Sequence, residues 1–502
     1  MLEERGVGQS IGVVGSGRSI YVLSLFVLNI GLARSMGVEG FGAFQQVFMF
    51  SAFFVVLTLG IPDTLYFFLP RLTTEERPGF LGQTILLMAL NGLALSLLLW
   101  IGAPWLAHLQ NNPDITSNIR IFGVYGAFYV ASAFADPIFI TFKRVRYLFL
   151  LSASHGLLFI ALTVWQYITG VSASALFTVM AAFAVVKFLL AFLLVRHMRP
   201  IIGNIDWFGG KRTVLLQLSF ALPVALSSTI DIISTWMDKF VVSFYLGKEA
   251  LGVFYVGAIE IPLVAVLLSS TYSVVSPVLG SMQHRGDYTG FADLVKQTFL
   301  FTAKFIWPLW LYLLVFADRL IPMVFGPEYT ASVLPFRIYL ALMPLRIALY
   351  GAIIVALGKP HVVSWTALGA LLLNLALNII LVTRIGLAGP AIATVISSYV
   401  HVVVLLWVVM RATGAGLPKL VPFRGLLEIL AVSGLAAALS FPLTGTGILE
   451  SDFQAVAVST VVFIGAYVFF GKKAGFIRLL SLRDIREGRF GGGKSGSLGN
   501  QG

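Results

Sequence analysis

Apolar stretches close to the length of a membrane span recur along this entire chain, and they restrict its fold more than any other feature. A spanning helix needs about 20 mostly apolar residues. Fourteen stretches approach that length: 19–35, 42–60, 80–101, 119–141, 147–168, 173–195, 222–245, 251–270, 296–316, 333–356, 361–382, 388–410, 426–444 and 453–470. A single hydrophobic core stops growing near ~250–300 residues. Here 58% of 502 residues are hydrophobic, so much of that surface must face lipid. The spans consume nearly all of it and leave no large water-soluble domain. With 11% of its residues charged, against about 25% in a soluble domain, the chain is neither a soluble enzyme nor disordered. It contains no cysteine, which excludes disulfides, thiol catalysis and Cys-ligated metals. The expected fold is an all-α polytopic membrane protein of about 14 transmembrane helices.

The first 18 residues lack a basic start, a continuous apolar stretch and a clean cleavage site. They read as no removable signal peptide, and the first span itself would target the chain. The net charge of +12 would suggest nucleic acid in a soluble protein. In a membrane protein it suggests orientation, because Lys and Arg accumulate on the cytoplasmic side. With the N-terminus inside, 24 of the 34 Lys and Arg residues fall on the inner side, 4 in outer segments and 6 within spans. N and C termini are therefore expected to be cytoplasmic.

The chain repeats itself. Residues 37–44 read GVEGFGAF and 247–254 read GKEALGVF. Both fit G-x-E-x-x-G-x-F at an offset of 210 residues, and both fall in an outer turn. GVSASALFT at 170–178 matches GLAGPAIAT at 386–394 at an offset of 216, as does Lys143 with Lys359. Each copy holds six spans, an even number, so both enter the membrane from the same side. Two parallel, pseudo-symmetric six-helix lobes facing one another create a cleft near the midplane. The expected organisation is an N-lobe over 1–200, a C-lobe over 201–411, two additional spans over 412–471 and a basic, Gly-rich cytoplasmic tail over 472–502. The offset also moves the seventh span to 229–245.

That shift places charges inside the membrane, where each costs at least ~2.5–3.5 kcal/mol and needs a reason. Asp231, Ser234, Thr235 and Asp238 share one helix face, with Ser227 a turn earlier. The stripe should line the inter-lobe cavity or hold a structural network. Glu260 sits mid-span before Pro262, a potential kink, and suits either a proton or sodium site or a pairing with a neighbouring cation. The cations Arg120, Lys187, Lys239, Arg337 and Arg346, with Arg34 at the outer end of the first span, suit an anionic head group, because guanidinium grips phosphate bidentately. Lys304 can snorkel to the interface. Asn374 and Asn378, one turn apart, serve either interhelical hydrogen bonds or contact with sugar hydroxyls. His155 and His401 lie within spans, and no metal-ligand spacing appears. GRFGGGKS at 488–495 literally matches a phosphate loop, yet no strand precedes it and 7 residues follow Ser495. ATP binding is not expected, nor is any other cofactor or nucleic acid.

Four stretches carry a family resemblance: TWMDKFVVSFYLGKEALGVFYVG at 235–257, LIPMVFGPEYTASVLPFRIYL at 320–340, ALGKP at 356–360 and NLALNIILVTRIGLAGPAIAT at 374–394. Together they resemble the lipid-linked oligosaccharide flippases of the multidrug/oligosaccharidyl-lipid/polysaccharide exporter superfamily, in its polysaccharide transporter branch. The resemblance implies alternating access between two six-helix lobes. Its substrates are polyprenyl-pyrophosphate-linked repeat units for O-antigen and lipopolysaccharide, capsule or exopolysaccharide. The setting would be a bacterial or archaeal cytoplasmic (inner) membrane, with polysaccharide polymerase machinery as a partner. Asp238 and Lys239 fall on a family-like motif; the other candidates rest on the cost of burial. The peptidoglycan-precursor branch fits less well, because Arg18 and Arg34 flank the first span without an arginine cluster inside it. A drug or metabolite antiporter of the same superfamily is the alternative. A membrane-embedded polymerase, ligase or glycosyltransferase fits least, because the outer loops are short.

Overall fold

The computed structural model describes residues 2–207, 211–444 and 452–477, and they are helical with no strand. The first half of the chain forms α1 (Leu2–Phe48), α2 (Ala52–Leu57), α3 (Ile61–Phe68), α4 (Arg77–Leu109), α5 (Thr116–Ala131), α6 (Ala135–Thr141), α7 (Val145–Thr169), α8 (Ala173–His197) and α9 (Arg199–Ile202). The second half forms α10 (Lys211–Gly257), α11 (Pro262–His284), α12 (Tyr288–Phe325), α13 (Val333–Leu340), α14 (Tyr350–Ala356), α15 (Pro360–Ile385) and α16 (Ala388–Thr413). After the short α17 (Leu417–Leu420), α18 (Phe423–Ser440) and α19 (Asp452–Lys473) complete it.

Twelve helical runs among the described residues are long and apolar enough to cross a membrane. The difference from the expected count has two sources. The first two expected spans are joined in one run, Ser19–Phe68, bent at Gly37. The stretch 333–356 is not one helix but α13 and α14, separated by turns over 341–347. The boundary expected near 246–250 also moves. Gly247 bends α10 without ending it, and the helix stops instead at 258–261. The GRFGGGKS stretch, most of the basic tail and the side chains of Arg18 and Ser227 lie outside the described residues.

Large apolar side chains point outward all around the bundle: Ile168 is 74% exposed and Val461 71%. Hydrocarbon accepts such a surface, which in water would drive aggregation. Between helices, backbones approach where one partner is small. A Cβ at Gly31 of α1 would lie 2.1 Å from the Thr163 side chain of α7, and one at Gly92 of α4 would lie 2.2 Å from the Ala127 carbonyl of α5.

The repeat is visible in the backbone. Gly37 (φ 67°) and Gly247 (φ 82°) bend helices of equal length, 47 residues, at equivalent points. Positive φ suits glycine because it has no Cβ. The glycines that follow them touch the opposite half of the molecule. A Cβ at Gly42 would lie 1.8 Å from the Lys248 carbonyl oxygen, and one at Gly252 would lie 2.3 Å from that of Val38. Residues 38 and 248 are themselves related by the repeat offset, so the two contacts exchange under it and a pseudo-two-fold axis runs between them. Gly170 (φ 61°) and Gly386 (φ 58°) likewise share a positive φ, but with ψ at 34° and −132° only Gly170 is left-handed helical. The Lys143–Lys359 match does not extend to conformation: Lys143 has φ 57°, Lys359 φ −120°, and Gly358 takes the left-handed position in the second half.

Contacts between the halves form at both ends. At the Gly37/Gly247 end, buried Gln46, which accepts from Asn112 of its own half (2.7 Å), donates to Ser243 Oγ (2.9 Å), while Lys248 pairs with Glu39 at 2.8 Å. At the other end, Gln217 donates to Thr84 Oγ1 (2.6 Å), and the Phe67 and Phe220 rings stack at 4.7 Å. The α18–α19 pair packs on α12, where the Tyr467 hydroxyl donates to the Lys304 carbonyl at 2.8 Å.

Candidate functional site

Two breaks in helices build a polar cavity. The first lies between α10 and α11. Pro262 opens α11 at its first turn, where a missing N–H costs nothing. Its ring holds the preceding Ile261 extended (φ −90°, ψ 108°), as expected before proline. Glu260 therefore sits on unwound backbone. The second break follows α13, where Pro344 falls within the turns and Arg346 near their end. Unwound carbonyls at this depth need partners. The Thr302 hydroxyl of α12 reaches the Ile347 carbonyl, and the Tyr399 hydroxyl of α16 reaches that of Ala341 at 2.9 Å.

The two breaks meet. Arg346 Nη2 donates to Glu260 Oε1 at 2.9 Å, with the arginine side chain 38% and the glutamate 63% exposed to the opening. The cavity encloses about 200 Å³ and is lined by Ser234, Thr235, Asp238, Lys239, Glu260 and Arg346 together with apolar residues of α13. Asp238 is nearly buried, 3% exposed, and accepts the Lys239 backbone N–H at 2.7 Å. Lys239 Nζ lies 3.6 Å from Asp238 and 3.2 Å from the Thr235 carbonyl, and within 6.0 Å of the Trp236 and Tyr255 ring centres. Two acids and two bases thus share one cavity.

The other expected residues are dispersed. Asp231, on the same helix, is exposed and does not line the cavity. Arg337, expected to face the cavity, turns to α12, where it pairs with Asp318 and donates to the Leu314 carbonyl. Arg34 donates to the Met323 carbonyl at 2.7 Å. Arg120 lies 5.0 Å over the Trp100 ring and donates to the Trp100 carbonyl. Lys187 lies in the first half, 3.3 Å from His155. Asn374, buried between α15 and α16, donates to Thr394 and Ser397 at 3.1 Å each, and Asn378 donates back to Asn374. Tyr339, Thr394 and Ser398 also line the cavity and were not singled out from sequence, because nothing local distinguishes them from other polar residues in spans.

Residues 7–283 match the model of a family described as polysaccharide biosynthesis protein. The chain belongs to that family. Among curated relatives, it is 24% identical over 172 residues to the probable low-salt glycan biosynthesis flippase Agl15 of Haloferax volcanii, an alignment covering 34% of this chain and 36% of the flippase. It is 21% identical over 391 residues to the uncharacterized membrane protein MJ1068 of Methanocaldococcus jannaschii, covering 73% of this chain and 76% of that protein. Its fold resembles that of the lipid II flippase MurJ in an inward closed conformation, with a TM-score of 0.66 at 18% identity over 90% of this chain and 99% of the other. It also resembles an inward-facing multidrug resistance MATE transporter of the MOP superfamily, with a TM-score of 0.65 at 16% identity over 79% and 95% of the two chains.

This member of the polysaccharide biosynthesis family is therefore a multi-pass membrane protein with a transporter fold. Its family match ends at residue 283, within α11. Asp238, Lys239 and Glu260 fall inside the matched segment and Arg346 outside it.

Proposed function

We propose that this chain is a flippase, not an enzyme, that carries an anionic polyprenyl-pyrophosphate-linked oligosaccharide from the inner to the outer leaflet by alternating access. The observation that carries the reading is the Glu260–Arg346 ion pair, open to a cavity at the meeting of two broken helices. A guanidinium whose partner is a single exposed carboxylate can exchange it for a phosphate oxygen. Lys239 stands in the same cavity as a second positive charge. The family and the Agl15 similarity point to glycan assembly rather than to drugs. A volume near 200 Å³ takes a pyrophosphate but not an oligosaccharide, so the sugars would occupy space that opens between the halves.

In this reading the residues act as a two-lobe machine, 1–200 against 201–411, in a bacterial or archaeal cytoplasmic membrane. Ser19–Phe68 crosses twice, 333–356 forms one broken crossing, and both termini are cytoplasmic, giving 14 crossings. The Gly37/Gly247 end is then the outer one, closed in this arrangement. Deleting the gene in its host should abolish the surface polymer while repeat-unit lipid accumulates in the inner leaflet. Normal delivery of that lipid to the outer leaflet would refute the reading. A cation-coupled antiporter is the second reading, favoured by the two carboxylates, Asp238 and Glu260, in the same cavity. A shift in drug sensitivity with normal surface polymer would support it.

A further inference from the structure

A second polar cluster lies in the first half of the chain, apart from the cavity. His155 of α7 is 2% exposed. Its Nε2 lies 3.0 Å from the Tyr125 hydroxyl of α5, and its Nδ1 lies 3.3 Å from Lys187 Nζ of α8. Rings of Tyr21 (α1), Phe159 (α7) and Phe183 (α8) surround the imidazole at centroid distances of 5.0, 4.9 and 5.3 Å. The Tyr129 ring of α5 faces Lys187 at 5.5 Å. Asp136 of α6 acts electrostatically on Lys187 and Tyr129.

Taking Lys187 as an ammonium fixes where the protons sit. An ammonium has donors and no lone pair, so Lys187 donates and Nδ1 accepts. The imidazole hydrogen is then on Nε2, where it donates to the Tyr125 hydroxyl. With Asp136 negative, Lys187 positive and His155 neutral, the cluster carries no net charge. One more proton would bind at Nδ1. It would break the Lys187–His155 hydrogen bond and leave two cations adjacent among aromatic rings, a combination strongly disfavoured away from water.

α1 is the element placed to respond. It covers the imidazole with Tyr21 and packs on α7 so closely that a Cβ at Gly156 would lie 2.9 Å from Ile20 and Ser24. Beyond the bend at Gly37, the same helix makes the Gly42 contact with Lys248.

We propose that Lys187, His155 and Tyr125 form a proton-binding site, and that a proton on His155 Nδ1 favours an arrangement in which α1 lifts from α7 and the two halves part at the Gly37/Gly247 end. One proton is gained from water, one hydrogen bond breaks, and nothing is oxidised or reduced. By linkage, the parted arrangement binds the proton more tightly, so acid populates it. The proposal does not depend on which lipid is carried.

The test uses the full chain in lipid nanodiscs without substrate. The sequence has no cysteine, so Glu39→Cys with Lys248→Cys gives a unique spin-label pair, and replacing both partners of that ion pair leaves neither charge stranded. Lowering the pH from about 8 to about 5 should raise a population with wider label separation, by up to roughly tenfold per unit for one linked proton. His155→Gln and Lys187→Met should each remove the pH response. Tyr125→Phe should keep the response and move its midpoint. Nitrogen NMR of the unsubstituted protein should find His155 neutral with its hydrogen on Nε2. A pH response undiminished in both variants, separations that do not respond to pH in the unsubstituted background, or a hydrogen on Nδ1 of neutral His155 would each overturn the proposal.

Discussion

Arg346 and Glu260 are joined at 2.9 Å, and each lies where a membrane helix is interrupted beside a proline. The interruption frees both side chains from a helix face and turns them into one opening. Glu260 thereby occupies the position that an anionic head group would need.

Removing the counter-charge should therefore tighten binding. Glu260→Gln keeps the shape and leaves the arginine unneutralised. A half-exposed ion pair is worth ~0.5–1 kcal/mol, so apparent affinity for a polyprenyl diphosphate should rise by about two- to fivefold. Binding measured in detergent checks this directly. Weakened binding would instead assign Glu260 a direct part in holding the ligand.

The reciprocal glycine contacts should set the balance between closed and parted arrangements. A methyl group at Gly42 or Gly252 would meet backbone carbonyl oxygen at 1.8 or 2.3 Å, and overpacking of this kind costs ~1–3 kcal/mol. Gly42→Ala and Gly252→Ala should each lower disulfide cross-linking between cysteines placed at positions 39 and 248, by roughly thirtyfold at the middle of that range. Undiminished cross-linking in both variants would show that the helices do not meet there.

Support for the second break should be measurable as stability. Thr302→Val keeps the shape of the side chain but strips the Ile347 carbonyl of its donor, at a cost of ~1–3 kcal/mol. Thr298, whose hydroxyl donates back to the Leu294 carbonyl of its own helix, supplies the control. Thr302→Val should lower the thermal midpoint of the purified protein clearly more than Thr298→Val. Equal shifts would mean that the break is held by other contacts.

Much of this architecture was legible in the sequence because glycine and proline carry local signals. The offset between Gly37 and Gly247 revealed the repeat without reference to any contact, and Pro262 marked the break beside Glu260. Pro344 gave the same warning, yet 333–356 read as one span because hydropathy averages over the seven turn residues at 341–347. The partners of the buried cations were not legible. Arg337 and Asp318 are 19 residues apart, Lys187 and His155 are 32 apart, and Arg346 and Glu260 are 86 apart. No periodicity links residues on different helices, so a cation that faces the cavity and one that faces a neighbouring helix look alike in sequence. His155 was passed over for that reason: its companions are supplied by α1, α5 and α8.

The central claim is that the cavity cations handle an anionic lipid head group. Its most direct test is flipping of a fluorescent polyprenyl-diphosphate oligosaccharide by the full chain in proteoliposomes. The wild-type chain should move it, and Arg346→Ala should slow it at least tenfold, consistent with loss of charge-assisted hydrogen bonds worth ~1.5–3 kcal/mol. Lys304→Ala should stay within about twofold, because a snorkelling lysine contributes little. No movement by the wild-type chain, or near-normal movement in both variants, would contradict the account.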